Sequence, residues 1–320
     1  MNTMFKIDKT SPRGLLAIEW VALGYLVFTV LFILFTFTKH ADPLALIGGR
    51  MQVLAMMGGL WLVHYLLPCQ FTVVLRVILQ AALLSWWYPD TFELNKVLPN
   101  CDPVFAAIDQ EMFGFQPALV FHESVPKWFS EAFHLGYWSY YPMIAVVLVY
   151  YLFWQREDFL RAAFVVITSF FAFYVIFDLL PVAGPQFYYE FVGRSGIEQG
   201  VFPEVGDYFA KMTDHWPVWD MPGDPDGLFY KLVTDAHDAG ERPTAAFPSS
   251  HVGCTTVMLL LAFFSRKWKL GLWLLPFFIL MCFATVYIQA HYVIDAIVGF
   301  VVGVSFYVVF NYLYKIMGVR

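Results

Sequence analysis

Long apolar runs constrain this chain more than any other feature. From Gly14 to Thr38 about 25 residues pass with Glu19 as the only charged side chain. Inside a bilayer each backbone N–H and C=O must find its partner within the chain, so such a run has to be helical, and about 20 residues cross the hydrocarbon. The 320 residues are 60% hydrophobic and 14% charged, which excludes an ordinary soluble domain. Eight apolar helices are predicted, at 14–38, 51–67, 71–87, 134–154, 159–181, 252–264, 270–289 and 292–314. The fold class is therefore an all-α polytopic membrane protein, with 1–320 forming a single membrane domain. The first run is too long for a signal-peptide core and has no small-residue cleavage site, so it is expected to stay as helix 1.

Two short polar clusters interrupt the last three helices: Phe247-Pro248-Ser249-Ser250-His251 and Ala290-His291-Tyr292-Val293-Ile294-Asp295. Going down, back up and down again puts the starts of the 252–264 and 292–314 helices at one membrane face. His251 and His291 can therefore meet across forty positions. His291 and Asp295 are four apart and share one helix face, where the carboxylate can accept the imidazole N–H and leave the other ring nitrogen free to attack. Ser249 and Ser250 open the next helix just after a proline, so free N–H groups and the positive end of the helix dipole point at whatever sits beside His251. A lone histidine near a helix end is ordinarily an interfacial polar residue, and Pro-Ser-Ser can be a plain cap. Two histidines, a carboxylate at i+4 and a helix start at one face describe something else: phosphoryl transfer through a phosphohistidine.

These residues resemble the type 2 phosphatidic acid phosphatase superfamily, whose motifs read KxxxxxxRP, PSGH and SRxxxxxHxxxD. Pro248-Ser249-Ser250-His251 matches the second motif with Ser for Gly, and His291 with Asp295 matches the end of the third. The resemblance is carried mainly by residues 242–300. Ala284 and Thr285 stand where the third motif has Ser-Arg. Arg242-Pro243 offers the RP of the first motif, with Asp235 at the position of its lysine. The resemblance implies a six-helix phosphatase-type core and assigns His291 as nucleophile, Asp295 as its orienting carboxylate and His251 as the acid for the leaving oxygen. Arg242, Ser249 and the N–H of Ser250 would hold the phosphoryl oxygens. A phosphate monoester brings about two negative charges and a diester one. A pocket without the motif lysine and arginine suits a diester, as in the inositol phosphorylceramide and sphingomyelin synthases.

The rest of the chain frames this site. Residues 88–133 form a loop with seven acids against Lys96 and Lys127, and Trp128, Phe129 and Phe133 near its end suggest an interfacial helix. Residues 182–248 are rich in Pro, Gly, Asp and aromatics and read as a cap over the site. Glu19, His64 and Arg76 read as interfacial, and Asp178 as interfacial or as a partner of the site. Asp214, His215 and Asp220 form a conceivable metal set of undiagnostic spacing; no metal or other cofactor is expected. Cys69, Cys101, Cys254 and Cys282 offer no intramolecular pair and no CxxC spacing.

Lys6, Lys9, Arg13, Arg156, Arg161, Arg266, Lys267, Lys269, Lys315 and Arg320 all fall on the side of both termini, which the positive-inside rule makes cytoplasmic. The site and both acidic loops, 88–133 and 182–248, are then extracytoplasmic, with 249–315 as the catalytic helices. No basic tract suggests nucleic acid. The sequence reads as an integral membrane lipid phosphotransferase acting on a phospholipid or sphingolipid. A lipid phosphate monoester phosphatase is the alternative enzyme, and a non-catalytic scaffold or transporter the alternative of another class.

Overall fold

The computed structural model describes residues 4–7, 13–121, 125–212 and 216–317, with no strand among them. Lys9, Arg320, Asp214 and His215 lie outside the described residues. Helices follow one another as α1 (Ala17–Phe35), α2 (Pro43–Leu66), α3 (Gln70–Asn95), α4 (Asp102–Phe113), α5 (Pro117–Phe121), α6 (Lys127–Trp138), α7 (Tyr140–Trp154) and α8 (Phe159–Leu179). After a segment of short helices, α9 (Pro185–Val192), α10 (Arg194–Glu198), α11 (Tyr208–Lys211) and α12 (Leu228–Gly240), come α13 (Ser250–Phe263), α14 (Lys269–Tyr287) and α15 (Val293–Ile316).

Among the described residues six helices are long and apolar enough to cross a membrane: α1, α2, α3, α8 with the turn before it, α14 and α15. The α6–α7 pair, bent by 45° at Ser139, makes a seventh if it counts as one span. The eighth expected span, α13, has only 14 residues, about 21 Å of helix against about 30 Å of hydrocarbon. It is short because it starts at the polar cluster, and it is enclosed by α15, α14, α8 and α7. Nearly all of its residues are buried, so its apolar character reflects protein contact more than lipid contact. The core comprises α3, α6–α7, α8, α13, α14 and α15, with α1 and α2 packed outside on α3 and α8.

Glycines set how closely the central helices approach. A Cβ at Gly299 would lie 2.4 Å from the Ser249 carbonyl oxygen, and one at Gly303 2.5 Å from that of Gly253. The G-x-x-x-G face of α15 thus lies directly on the backbone of α13, which draws the starts of the two helices together.

Several sequence expectations change here. Glu19, His64 and Arg76 are buried rather than interfacial. Arg76 Nε donates to Glu19 Oε1 at 2.7 Å, and the Glu19 carboxylate also accepts the Leu16 N–H at the start of α1. His64 Nδ1 pairs with the Thr72 hydroxyl at 2.7 Å. A buried charge needs a partner, and the apolar context that suggested snorkelling instead conceals partners 57 positions apart. Asp178 is buried against Tyr25, whose hydroxyl donates to it at 2.9 Å. The two loops are largely helical: α3 runs on to Asn95, and α4, α5 and α6 fill most of 96–133. They pack with α9 and the chain around Phe209 and Trp216 into a second apolar core that includes Ala246 and Tyr292. The aromatics of the 182–248 segment are thus the interior of a folded cap. All four cysteines are free.

Candidate functional site

The chain before each histidine bends through the left-handed region, with Ala245 at φ 67° and Gln289 at φ 63°. Such conformations are unfavourable for residues with a Cβ and persist where surrounding contacts enforce them. The contacts are visible. Ala246 N donates to the Val182 carbonyl, Gln186 N to the Gln289 carbonyl, and His291 N to the Thr285 carbonyl at 3.0 Å. Gly184, at φ 94°, lies so close that a Cβ there would meet the Ala290 carbonyl oxygen at 2.5 Å.

These bends bring His251 and His291 together, with His251 Nδ1 3.5 Å from His291 Nε2. His291 Nδ1 lies 2.7 Å from the Ala246 carbonyl oxygen. A carbonyl only accepts, so Nδ1 carries the proton and Nε2 holds the lone pair directed at His251. The expected direct hydrogen bond to Asp295 is therefore displaced: Asp295 Oδ2 stands 3.6 Å from Nδ1 and accepts the Tyr292 N–H at 2.9 Å. Asp295 stands beside the ring, while Ala246 sets its tautomer. His251 is packed against two tyrosines, stacked on Tyr137 at 4.5 Å and tilted on Tyr140 at 4.4 Å between ring centroids. Burial lowers the His291 pKa to about 4, opposed only weakly by its hydrogen bond to Ala246, so the ring is neutral at physiological pH.

The two helix starts at the site are used differently. At α15 the N–H groups of Val293 and Ile294 donate to the two oxygens of Asp109 at 2.8 and 3.1 Å, and that of Tyr292 donates to Asp295. This end is closed by carboxylates. At α13 the Ser249 hydroxyl caps the Val252 N–H at 3.3 Å, and Ser249 N donates to the Asp295 carbonyl. Ser249 is thus occupied as a cap, whereas no described group accepts from the N–H of Ser250 or His251. Two donors at a helix N-terminus stay available beside the histidine pair.

Three acids that sequence reasoning did not single out complete the surroundings. Asp102 accepts from the N–H groups of Ala183 and Gly184 at 2.6 and 2.8 Å and from the Tyr292 hydroxyl at 3.0 Å. Burial pushes its pKa up to about 6 against the pull of those donors. Burial also raises the Asp109 pKa, opposed by its two backbone donors. Glu241, on the cap, accepts from the Tyr88 hydroxyl at 3.2 Å and Gln186 Nε2 at 3.4 Å, and burial raises its pKa to about 7. The only signal in the sequence was acids in otherwise apolar neighbourhoods. Arg242 is not aimed at the histidines: its guanidinium lies over the Trp216 ring at 4.9 Å and donates to the Glu241 backbone carbonyl.

A cavity of about 500 Å³ opens beside His251 and Ser250 and runs between α3, α7 and α8 beneath the end of α12. Among the described residues no group of three or more His, Cys, Asp or Glu is placed to hold a metal. The arrangement offers an unprotonated imidazole nitrogen, a second imidazole facing it, two free N–H donors and an apolar cavity beside them. That set suits attack on, and release from, a phosphorus centre.

Neither the curated proteins nor the solved structures compared with this chain gave a match. The family model described as PAP2 superfamily matches residues 104–309, which run from α4 through most of α15 and contain both histidines and Asp295. That match covers more than half of the chain, which therefore belongs to the PAP2 superfamily, the type 2 phosphatidic acid phosphatases and their relatives.

Proposed function

We propose that the protein is a lipid phosphotransferase working through a phosphohistidine on His291. The observation that carries this reading is the histidine pair: His291 Nε2 is held unprotonated by the Ala246 carbonyl and faces His251 Nδ1 at 3.5 Å. His291 Nε2 attacks phosphorus. As its imidazole takes up positive charge, Asp295 at 3.6 Å and the Ala246 carbonyl at 2.7 Å stabilise it. His251 gives its proton to the departing alkoxide and takes one back from the incoming acceptor. The N–H groups of Ser250 and His251 donate to the phosphoryl oxygens. The transferring group has to sit between the two rings, so its arrival parts a pair now at 3.5 Å.

Transfer to an alcohol is favoured over transfer to water by the charge of the site. Asp102, Asp109, Asp295 and Glu241 surround it, and Ala284 and Thr285 replace the family's Ser-Arg. A monoester dianion meets little positive charge here, whereas a diester brings only one negative charge. The folded cap over 182–248 can also hold an acceptor in line and exclude water. By the lysine and arginine asymmetry, the site opens on the extracytoplasmic side.

The purified protein, given a phosphodiester-headgroup lipid and a lipid alcohol such as a ceramide or diacylglycerol, should move the headgroup faster than it frees phosphate from phosphatidic acid. Rapid acceptor-independent phosphate release, with no headgroup exchange, overturns the transferase reading and leaves a lipid phosphatase.

A further inference from the structure

The cavity beside His251 carries a charge and ring pattern that a generic lipid pocket does not need. One wall is an arc of aromatic rings in sequence: Tyr88 to Tyr174 at 6.5 Å, Tyr174 to Phe170 at 6.3 Å, Phe170 to Tyr140 at 6.0 Å, and Tyr140 to Tyr141 at 5.5 Å between centroids. All five line the cavity. Next to one end of the arc Tyr140 abuts His251 at 4.4 Å, and at the other end the Tyr88 hydroxyl donates to Glu241. Glu241 is the only charged side chain in the lining, and no lysine or arginine is present there. Only its Oε1 accepts the described hydrogen bonds. Arg242 is turned away onto Trp216 and donates to the Glu241 main chain, not to its carboxylate.

The Arg242 charge reaches Glu241 only from outside the lining, and a carboxylate facing a pocket of tyrosine rings is costly when the pocket is empty and is satisfied there by a weakly hydrated cation. Ring quadrupoles attract the charge and the carboxylate completes it, which is how aromatic cages recognise alkylammonium groups. The height of the Glu241 pKa, about 7 through burial, reports that cost.

We propose that this cavity is the headgroup pocket for a lipid whose phosphodiester ends in an alkylammonium group, with Glu241 as the specificity-determining residue. The pocket would place the ammonium between Glu241 and the aromatic arc and the phosphorus at the His251 end. The zwitterion needs no cation from the protein beyond the N–H groups of α13, which accounts for the scarcity of basic residues. A polyol headgroup such as inositol offers neither a charge for Glu241 nor weakly hydrated methyl groups for the rings. The lining from α3, α7 and α8, including Ala81, Leu84 and Ile144, favours a lipid over a soluble amine as the source.

The proposal rests on the transferase reading for what happens to the headgroup, and its test is a binding measurement that needs no turnover. Full-length protein carrying His291→Ala is purified in detergent. Its affinity is measured for short-chain lipids of identical tails bearing phosphocholine, phosphoinositol or phosphoglycerol headgroups. The phosphocholine lipid should bind about tenfold or more tightly than either of the others. Adding Glu241→Gln should remove that preference, and Tyr88→Phe, which keeps the ring, should retain most of it. Equal binding of the three lipids, a preference for inositol, or a preference that survives Glu241→Gln overturns the proposal. Displacement of the bound lipid by an equal concentration of free choline assigns the pocket to a soluble cation and overturns the lipid source. Each of these failures leaves the turnover test of headgroup transfer untouched.

Discussion

Two buried polar regions lie in this molecule, and they solve the cost of burial in opposite ways. Where α1, α2, α3 and α8 meet, carboxyls find arginines or a tyrosine hydroxyl. Glu19 meets Arg76, Asp90 receives Arg50 Nη1 at 2.9 Å, and Asp178 takes the Tyr25 hydroxyl at 2.9 Å. At the site, carboxylates instead take backbone N–H groups: Asp109 at the start of α15, Asp102 at Ala183 and Gly184, Asp295 at Tyr292. The histidines there face one another with no arginine or lysine between them. In the first region the charges are taken up by neighbouring side chains, although Arg76 Nη1, Asp178 Oδ1 and the Gln80 amide keep atoms without a described hydrogen-bond partner. In the second, His291 Nε2 and the N–H groups of α13 retain capacity that a substrate can use. Unspent polarity inside a membrane domain marks function where it opens on a cavity, as it does beside Ser250 and His251.

The sharpest way to break this comparison is to cut each region once. His291→Ala should lower turnover by about 10⁴-fold or more while thermal stability stays near that of the parent. Arg76→Ala leaves Glu19 buried without its partner and should cost roughly 3–5 kcal/mol of stability. Turnover per folded molecule should stay unchanged. Lipid turnover and thermal unfolding measured on both variants decide it; an inactive but fully stable Arg76→Ala protein would show that the α1–α3 network also serves the chemistry.

A smaller effect sharpens the account of the site. Because Ala246 sets the His291 tautomer and Asp295 stands back at 3.6 Å, Asp295→Asn should reduce kcat by roughly 10–10²-fold. The larger loss seen when a triad carboxylate alone fixes the tautomer is not expected. A loss as large as that of His291→Ala would restore Asp295 as the orienting group.

The smallest effect is in pH. His291 has a folded pKa of about 4, depressed by burial from 6.5. The unfolded chain takes up this proton first as pH falls, so the ring's contribution to stability is complete above about 6.5 and is lost progressively between about 6.5 and 4. The nucleophile also stays unprotonated down to about 4. The limb of kcat/KM against pH due to His291 should lie near 4, and a limb at 6.5 that vanishes in no other variant would contradict the burial of the pair.

Part of this was legible in the sequence because it rests on periodicity and chain reversal. The apolar runs gave the membrane helices, and the polarity of 247–251 and 290–295 marked the histidine pair. Gly299-x-x-x-Gly303 was equally readable as the face that brings α15 onto α13, yet it carries no charge and draws no notice among apolar residues. Asp102, Asp109 and Glu241 were not legible, since, Asn100 beside Asp102 apart, their partners lie between 55 and 190 positions away and depend on how the cap folds. Arg242 shows the converse error. Its place in the Arg242-Pro243 match suggested a phosphate clamp, but position along a loop does not fix direction, and Trp216 is what the guanidinium meets.

The central claim is that phosphorus becomes bonded to His291, and trapping that bond tests it most directly. The protein with His251→Ala, which should still accept the group from a lipid with a good leaving group, is mixed with a phosphorus-labelled phosphodiester lipid, quenched in alkali and digested. The account predicts an acid-labile, alkali-stable label on the peptide containing His291 and no label when His291→Ala is added. Label on any other residue, or normal lipid turnover by the His291→Ala protein, would contradict it.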